Sequence, residues 1–440
     1  MNRSRPRRLR AAVNLRVALL GLAALLSTPT LSAAVIDGRQ VSLHQVSAEE
    51  CKDCHKQIYK QWKGSMHARS TALKDPIHGA LYRKLIGDPT REGVVHKKMK
   101  TYPVCLQCHA PNAARDRKTK LDAMPAYAEG VTCVVCHSME KYKGIKAPDG
   151  KFRLGAAAYE FSDQLQGANG VLHEQGAAAD HLRAAIDDEG ELNPHLGRDN
   201  DGKPYITAKE AADLDLPLTQ NGLLRTNDAC MGCHDKRHNP KGAPLCQTGD
   251  EFMKAGSQVT CQSCHMPAVK GLAGHSMGGG HDPGMLKRSV AFRVSTEKQG
   301  DRLKVQVRLK NQQPHDLPTG APFRNMVVKV TALDREGRVL WQNFRQHPMK
   351  EDPQAYIVYV MTGPDGKPAS PPAATGVGRN SRLKPFETRM LDYDIPARGV
   401  DSVRAELYYN LLWPGMVKQM KKLPADLKAP KLIAWSEARP

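Results

Sequence analysis

One five-residue unit, Cys-x-x-Cys-His, occurs five times and limits what this chain of 440 residues can fold into. The copies read CKDCH, CLQCH, CVVCH, CMGCH and CQSCH, and we number them motifs 1 to 5 in chain order. Ten of the eleven cysteines belong to them. Any fold of this chain must therefore bring two thiols and one imidazole together at five separate places.

Four uses of paired cysteines compete for these motifs. Disulfides suit an exported chain, but they need no histidine after every second cysteine. Zinc sites use Cys-x-x-Cys pairs without requiring histidine at the next position each time. A thioredoxin-like redox pair would occur once, within alternating strands and helices. Covalent attachment of c-type haem accounts for every position, because each thiol forms a thioether with one vinyl group of the porphyrin.

Helical spacing explains the order of the three residues. Residues i and i+3 share one face of a helical turn, which places both sulfurs along one porphyrin edge. A histidine at i+4 lies on that face and reaches the iron. We therefore predict five covalently attached haem c groups. The predicted attachment residues and proximal iron ligands are Cys51, Cys54 and His55; Cys105, Cys108 and His109; Cys133, Cys136 and His137; Cys230, Cys233 and His234; and Cys261, Cys264 and His265.

Twelve further histidines are enough to supply a second axial ligand to every iron, although an ordinary surface or core histidine is the alternative for each. One candidate follows motif 1 on a predicted helix, two lie in the glycine-rich loop GHSMGGGHDPGM, and one lies in the turn NQQPHDLPTG between predicted strands. Two more fall in a long stretch without a motif. Methionine ligation, which raises the potential, stays open. The predicted distal ligands are His67, His275, His281, His315, His173 and His181.

The amino terminus reads as a targeting segment. Six arginines precede the apolar run VALLGLAALLSTPTLSAA, which predicts a secretory signal peptide over residues 1–34, cleaved near Ala33 or Ala34. A retained membrane anchor is the alternative, but the run is too short to span a bilayer comfortably. We expect the mature protein in the periplasm or at the outer cell surface, without stable membrane insertion.

Charge gives a second constraint. The net charge falls from +20 to +14 once the signal segment is removed, because that segment holds six arginines and no acid. Export and the dispersed basic residues argue against nucleic-acid binding. Haem propionates would offset part of the excess, and a basic surface favours docking to acidic redox partners or to other multihaem cytochromes.

With these residues in hand, the chain resembles the cytochrome c-554 type of multihaem cytochromes. The resemblance rests on CKDCHKQIYKQWKGSMHA and on the later haem segments, among them CLQCHAP, GVTCVVCHS and TCQSCHMP. The segment LKNQQPHDLPTGAPFRNMVVKVTALDREGRVLW is similar to a β-sandwich appended to many exported multihaem cytochromes, some of which form conducting filaments. In those relatives a glycine usually precedes the histidine of this turn, where this chain has Pro314. The similarity to filament-forming relatives implies a homopolymer of this chain as one expected assembly.

The predicted fold is an α+β multidomain chain. Residues 35–287 are expected to form a mostly helical and loop pentahaem domain with little regular sheet. From about residue 288 apolar and polar residues alternate, as in RLKVQVRLKN, which predicts an antiparallel, Ig-like β-sandwich over residues 288–440 with a basic, mobile C-terminal tail. Motifs 2 and 3 are close in sequence, as are motifs 4 and 5, which predicts two packed haem pairs. Cys246 is left over, either as a buried thiol or as one half of an intermolecular disulfide.

Three functions fit these features. The first is electron transfer through closely packed, mostly bis-histidine haems. The second is an oxidoreductase for a small nitrogen or oxygen species, which needs one iron with an open sixth position. The third is a filament subunit in which one chain, through His44 for example, ligates a haem of the next.

Overall fold

Short helices and loops make up the first part of the chain, and long antiparallel strands make up the second. The computed structural model describes residues 34–36, 39–168, 218–239, 241–269 and 272–440. In chain order, the α-helices of these residues are α1 Lys56–Gly64, α2 Pro76–Leu85, α3 Leu106–His109, α4 Pro111–Arg115, α5 Pro125–Ala128, α6 Cys133–Cys136, α7 Asp228–His234, α8 Thr248–Lys254, α9 Cys261–His265, α10 Pro283–Arg288, α11 Pro348–Glu351, α12 Pro414–Gln419 and α13 Ala425–Lys428.

Helices of four to ten residues are too short to be stable alone, so packing and local capping hold them. The start of α2 illustrates the capping. The Asp75 carboxylate accepts hydrogen bonds from the backbone N–H groups of Ile77 and His78, and Pro76 occupies the first turn, where no N–H is needed. On α1, Tyr59 and Trp62 form the buried face. These contacts fix the directions in which the histidines of this region point.

The strands differ sharply in length between the two parts. Before residue 288 they have two to four residues and pair only two by two. They are β1 Ala34–Ile36, β2 Arg39–Val41, β3 Met139–Tyr142, β4 Tyr159–Phe161, β5 Leu165–Gly167, β6 Leu218–Gln220, β7 Arg237–His238, β8 Pro244–Cys246, β9 Ala268–Val269 and β10 Leu272–Ala273.

Beyond residue 288 the strands build two larger antiparallel sheets. They are β11 Val290–Gln299, β12 Arg302–Asn311, β13 Asn325–Leu333, β14 Val339–Gln342, β15 Tyr356–Thr362, β16 Gly376–Asn380, β17 Thr388–Pro396, β18 Ser402–Asn410 and β19 Lys431–Ala438. One sheet has the order β11-β12-β17, and the other has the order β16-β15-β13-β18-β19 with β14 on β13. The predicted fold class, a helical and loop region with little sheet followed by an antiparallel sheet-rich region, is confirmed.

Alternation along each strand explains why the two sheets pack together. On β12, Leu303, Val305 and Val307 are buried while the residues between them are exposed, because successive side chains of a strand point to opposite faces. These side chains share one hydrophobic cluster with Val328 of β13 and Leu407 of β18. The core therefore lies between the two sheets, which is the arrangement of packed antiparallel sheets.

The C-terminal segment predicted to be a mobile tail is folded. Its basic residues alternate with apolar ones, and Met416 of α12 and Leu423 are buried in the core between the sheets. The last strand, β19, pairs antiparallel with β18. Apolar side chains at these positions tie the basic segment to the sheet.

Contacts also join the haem-motif part to the sheets, and the described residues from Ala34 onward belong to one compact unit. Ile77 of α2 and Leu286 of α10 pack into the core of the sheets. The Asn239 side chain donates to the carbonyls of Pro371 and Ala374, at 2.7 and 2.8 Å. The two parts are therefore held by both apolar and polar contacts.

Some predictions fall on parts of the chain that are not described. The signal segment up to residue 33 lies outside the described residues, as do His173 and His181. Among the described helices, none combines the length and the hydropathy that crossing a membrane requires.

Candidate functional site

The five motifs fold as the helical turns that haem attachment requires. Motifs 2 to 5 coincide with α3, α6, α7 and α9, and motif 1 directly precedes α1. The backbone N–H of the motif histidine donates to the carbonyl of the first cysteine in motifs 1, 2 and 3, at 2.9, 3.0 and 2.9 Å. This bond closes one turn, so both thiols and the imidazole project from one small patch of backbone.

Thiol contacts between motifs give their spatial order. Cys51 of motif 1 contacts Cys133 of motif 3 through its side chain. Cys108 of motif 2 contacts Cys233 of motif 4. Cys230 of motif 4 contacts Cys261 of motif 5. No disulfide joins any of these cysteines in the described structure, so the contacts report proximity.

Sequence spacing predicts that motifs 2 and 3 pack as a pair, and the thiol contacts show that motif 2 also neighbours motif 4. The segment Gly155–Tyr159 contacts both motif 2 and motif 4. Gly155 adopts φ +57 and packs so closely on motif 2 that a Cβ there would overlap the Gln107 carbonyl. The Tyr159 hydroxyl accepts from the N–H of Gly232 in motif 4, at 2.8 Å. A segment that lies far from motif 4 in the sequence thus contacts motif 2 and motif 4 together.

Three of the predicted distal histidines face a motif histidine. The ring centroids of His67 and His234 are 6.1 Å apart. His275 lies 6.4 Å from His137, and the ring of His315 lies 6.4 Å from that of the motif 5 histidine. Metal–nitrogen bonds of about 2.0 Å on both sides of one ion would separate two imidazole centroids by roughly 6 Å. The gaps between these three pairs therefore fit one iron each.

A fourth pair involves a histidine that the sequence prediction did not select. His78 of α2 lies with its ring centroid 4.1 Å from that of His109, so these two rings touch directly. The Ser70 carbonyl accepts from Nδ1 of both rings, at 2.8 and 3.1 Å. Nε2 of His78 is buried and has no hydrogen-bond partner among the described residues. Because 4.1 Å is well below the roughly 6 Å expected for two ligands of one ion, this pair does not fit an iron between its rings.

Backbone carbonyls fix the orientation of most of these rings. A ring that donates from Nδ1 keeps its Nε2 lone pair for a metal, and the bond sets both tautomer and direction. Besides the Ser70 pair, the described contacts of this kind join His137 to Gln166 at 2.9 Å, His265 to Gly278 at 2.6 Å, His275 to Ala273 at 2.8 Å and His315 to Asp316 at 3.0 Å. The sequence gives no sign of these acceptors, because they are main-chain atoms.

His67 differs from the other rings, because its Nδ1 lies 2.7 Å from the sulfur of Met277. Burial, with the nearby His265 and His109, lowers the pKa of His67 to about 4. Burial also lowers the pKa of His234 to about 3, with His67 as the next contribution. Both rings are therefore neutral at pH 7, which is the form that binds a metal.

Two other histidines lie close to charged residues outside the motifs. His281 lies near Arg324, Lys431 and Arg69, and burial followed by Arg324 lowers its pKa to about 4. No ring contact of the described residues pairs His281 with a motif histidine. His44, the proposed donor to a neighbouring chain, bonds through Nε2 to Asp116 of its own chain at 2.7 Å.

The motifs also differ in exposure. Cys54 of motif 1 and Cys264 of motif 5 are exposed, whereas the other motif cysteines are half-buried. Cys246 is half-buried as well, and its sulfur lies 3.9 Å from the His234 carbonyl and 3.7 Å from the Thr248 hydroxyl. Motifs 1 and 5 therefore offer the most accessible attachment sites.

Comparison with known proteins agrees with this arrangement. Residues 50–138 match the family described as cytochrome c554 and c-prime. The chain is similar to a penta-heme cytochrome c552 from Thermochromatium tepidum, with 54% identity over 90% of this chain and 99% of that chain and a TM-score of 0.81. A β-glucosidase 3B from Thermotoga neapolitana is 14% identical over 34% of this chain and 17% of its own, with a TM-score of 0.11, and carries no argument. No curated protein matches the chain.

Proposed function

The chain belongs to the pentahaem c-type cytochromes, and from this membership we propose that it carries single electrons, in the periplasm or at the cell surface, through closely packed and mostly bis-histidine haems. The observation that carries the proposal is the set of three imidazole pairs with centroids 6.1 to 6.4 Å apart. Each pair joins a motif histidine to a histidine from elsewhere in the chain, which is the arrangement that bis-histidine ligation needs.

The residues of the chain have three tasks in this function. The ten motif thiols would tether the five haems covalently, and each motif histidine would bind one iron. His67, His275 and His315 are the proposed second ligands at motifs 4, 3 and 5. Haem c supplies one-electron chemistry when bound, and the surrounding protein sets the potential through ligands, hydrogen bonds and burial.

The motifs form two groups by their thiol contacts, and each group has one accessible member. The thiol contacts link motif 1 to motif 3, and motif 2 to motif 4 and then to motif 5. The exposed cysteines, Cys54 and Cys264, belong to motifs 1 and 5. We therefore propose that electrons enter and leave near these two motifs, where a partner can approach most closely.

Exposed lysines next to motif 1 favour an acidic partner. Lys56, Lys60 and Lys63 lie on α1 at spacings of four and three residues, so they share one solvent-facing side. They begin two residues after the exposed Cys54. Positive charge beside an accessible redox centre speeds the encounter with a negatively charged partner.

Spectra of axial-ligand variants test the proposed ligation. The variants His67→Ala, His275→Ala and His315→Ala are each expected to turn one of five haems from low-spin to high-spin, measured by electron paramagnetic resonance on the intact haem protein. The matched control is His96→Ala, because the Nδ1 of His96 accepts only from the nearby N–H groups of Lys98 and Met99. Unchanged low-spin spectra in all three variants would overturn the proposal.

A further inference from the structure

We propose that Met277 raises the reduction potential at motif 4, because it gives His67 a weak hydrogen-bond acceptor where six other described imidazoles at or beside the motifs have a strong one. The inference rests on the proposed ligation of motif 4 by His67 and His234. Among the seven such rings whose Nδ1 contact is described, six face a backbone carbonyl oxygen and one faces the thioether sulfur of Met277.

The backbone at Met277 indicates that this side chain is held there by its contacts. Its φ is +44, a left-handed value that favours glycine, and three glycines follow directly. A non-glycine residue in this region is strained and persists only where the surroundings over-determine it. The Met277 side chain packs against a buried cluster of Ala48, Tyr59, Trp62 and Ala68. The packed thioether explains a methionine at a position suited to glycine.

Both ends of the loop around Met277 are fixed by hydrogen bonds. Two residues earlier, the His275 N–H donates to the Gln61 side chain at 2.8 Å. One residue later, the Gly278 carbonyl accepts from Nδ1 of His265 at 2.6 Å. These two bonds hold the backbone on both sides of Met277 and so keep its sulfur beside His67.

The chemistry of the acceptor sets the strength of the iron ligand. A strong acceptor on Nδ1–H pulls the proton outward, increases the basicity of the opposite ring nitrogen and favours the more positive ferric iron. A carbonyl oxygen is such an acceptor, whereas a thioether sulfur is a weak one. His67 thus donates less electron density to its iron than an imidazole whose Nδ1–H faces a carbonyl oxygen. Hydrogen bonding around the axial ligand is one of the protein's means of setting potential, and here it favours the ferrous state.

The position of motif 4 gives this bias a consequence. Through its two thiols motif 4 contacts both motif 2 and motif 5. A raised potential at this junction makes it the preferred location for an electron that arrives from either neighbour. Met277 would then set the order in which the haems fill, without touching an iron.

Two substitutions at this position separate the acceptor from packing. Met277→Gln places an amide oxygen, a strong acceptor, on a side chain of similar length. It is expected to increase the ferric-to-ferrous ratio of one haem about tenfold at fixed potential. For a one-electron couple this corresponds to a midpoint potential lower by about 59 mV. Met277→Leu removes the weak acceptor and keeps the apolar volume, and it is expected to shift the same haem at least twofold in the opposite direction. The measurement is a redox titration of the intact five-haem protein, followed by electron paramagnetic resonance.

The controls distinguish the possible failures. No haem is expected to change its spin state in either variant. A Met277→Leu protein that turns one haem high-spin would identify the methionine as an iron ligand and overturn the inference, as would two variants that leave all five ratios within twofold. If Met277→Gln does not fold, the sign of the Met277→Leu shift decides. If His67→Ala changes no spin state, the proposed ligation by His67 is refuted. If His67→Ala turns one haem high-spin and the Met277 variants have no effect, only the proposed role of Met277 is refuted.

Discussion

Removing the guanidinium of Arg382 is expected to destabilise the protein by about 3 kcal/mol, because it leaves two buried carboxylates short of a partner. Nη1 of Arg382 lies 2.6 Å from Glu251 of α8, and Nη2 lies 3.0 Å from Asp316. The three side chains are only 9%, 8% and 3% exposed. The guanidinium also lies over the Tyr359 ring, at 4.7 Å from its centroid.

The remaining contacts of the two carboxylates set the magnitude. Breaking a buried ion pair by removing one partner costs roughly 3–5 kcal/mol. Glu251 keeps the Thr319 hydroxyl at 2.5 Å, and Asp316 keeps Lys384 at 3.0 Å. We therefore expect the lower end of that range for Arg382→Met.

Denaturant unfolding followed by far-ultraviolet circular dichroism measures this change. The matched control is Arg404→Met, whose Glu437 partner is 2.8 Å away but whose side chains are 46% and 28% exposed. An exposed pair of this kind contributes less than about 1 kcal/mol. The reasoning is wrong if both variants lose the same stability. Because Asp316 follows His315, the same Arg382 variant is also expected to broaden the low-spin signal of one haem, whereas Arg404→Met leaves it unchanged.

Two further predictions concern residues outside the motifs. Burial holds the pKa of His44 below its ordinary value of 6.5, so the unfolded chain takes up a proton that the folded chain does not as the pH falls below 6.5. The folded protein therefore loses stability as the pH falls. His44→Gln, which keeps a donor for Asp116, should show a smaller fall in Tm between pH 7 and pH 5 than the unaltered protein. Gly130 has φ +84, and a Cβ there would overlap the His67 carbonyl. Gly130→Ala should therefore cost more than about 1 kcal/mol in chemical unfolding and disturb one low-spin signal; a normal spectrum and unchanged stability would contradict this.

The motifs predict the haems well because haem attachment depends on local spacing. Two thiols and one imidazole within five residues form the same helical turn wherever they occur, so the number of haems follows without knowledge of the fold. The strands beyond residue 288 are equally local, since the alternation in RLKVQVRLKN becomes the buried and exposed pattern of β12. Both signals concern neighbours in the sequence.

Distal histidines are harder to predict, because their partners lie far away in sequence. His67 faces His234 across 167 positions, and no periodic pattern links the two. His78 shows the same limit, because an aspartate, a proline and a histidine at a helix start look like ordinary capping and only the fold reveals the ring contact with His109. The Met277 contact is invisible for the same reason. Sequence composition supplied enough histidines, and tertiary packing selected among them.

The turn that carries His315 shows that the sheet-rich part belongs to the haem site. His315 lies between β12 and β13, yet its ring faces His265 of motif 5 at 6.4 Å. Arg382, also from this part, reaches Glu251 of α8, a helix that lies between motifs 4 and 5 in the chain. A rigid sheet holds such a turn more firmly than a free loop would, because its strands fix both ends. The change in sequence pattern near residue 288 therefore marks a change of secondary structure, while the fifth haem site draws its residues from both sides of that boundary.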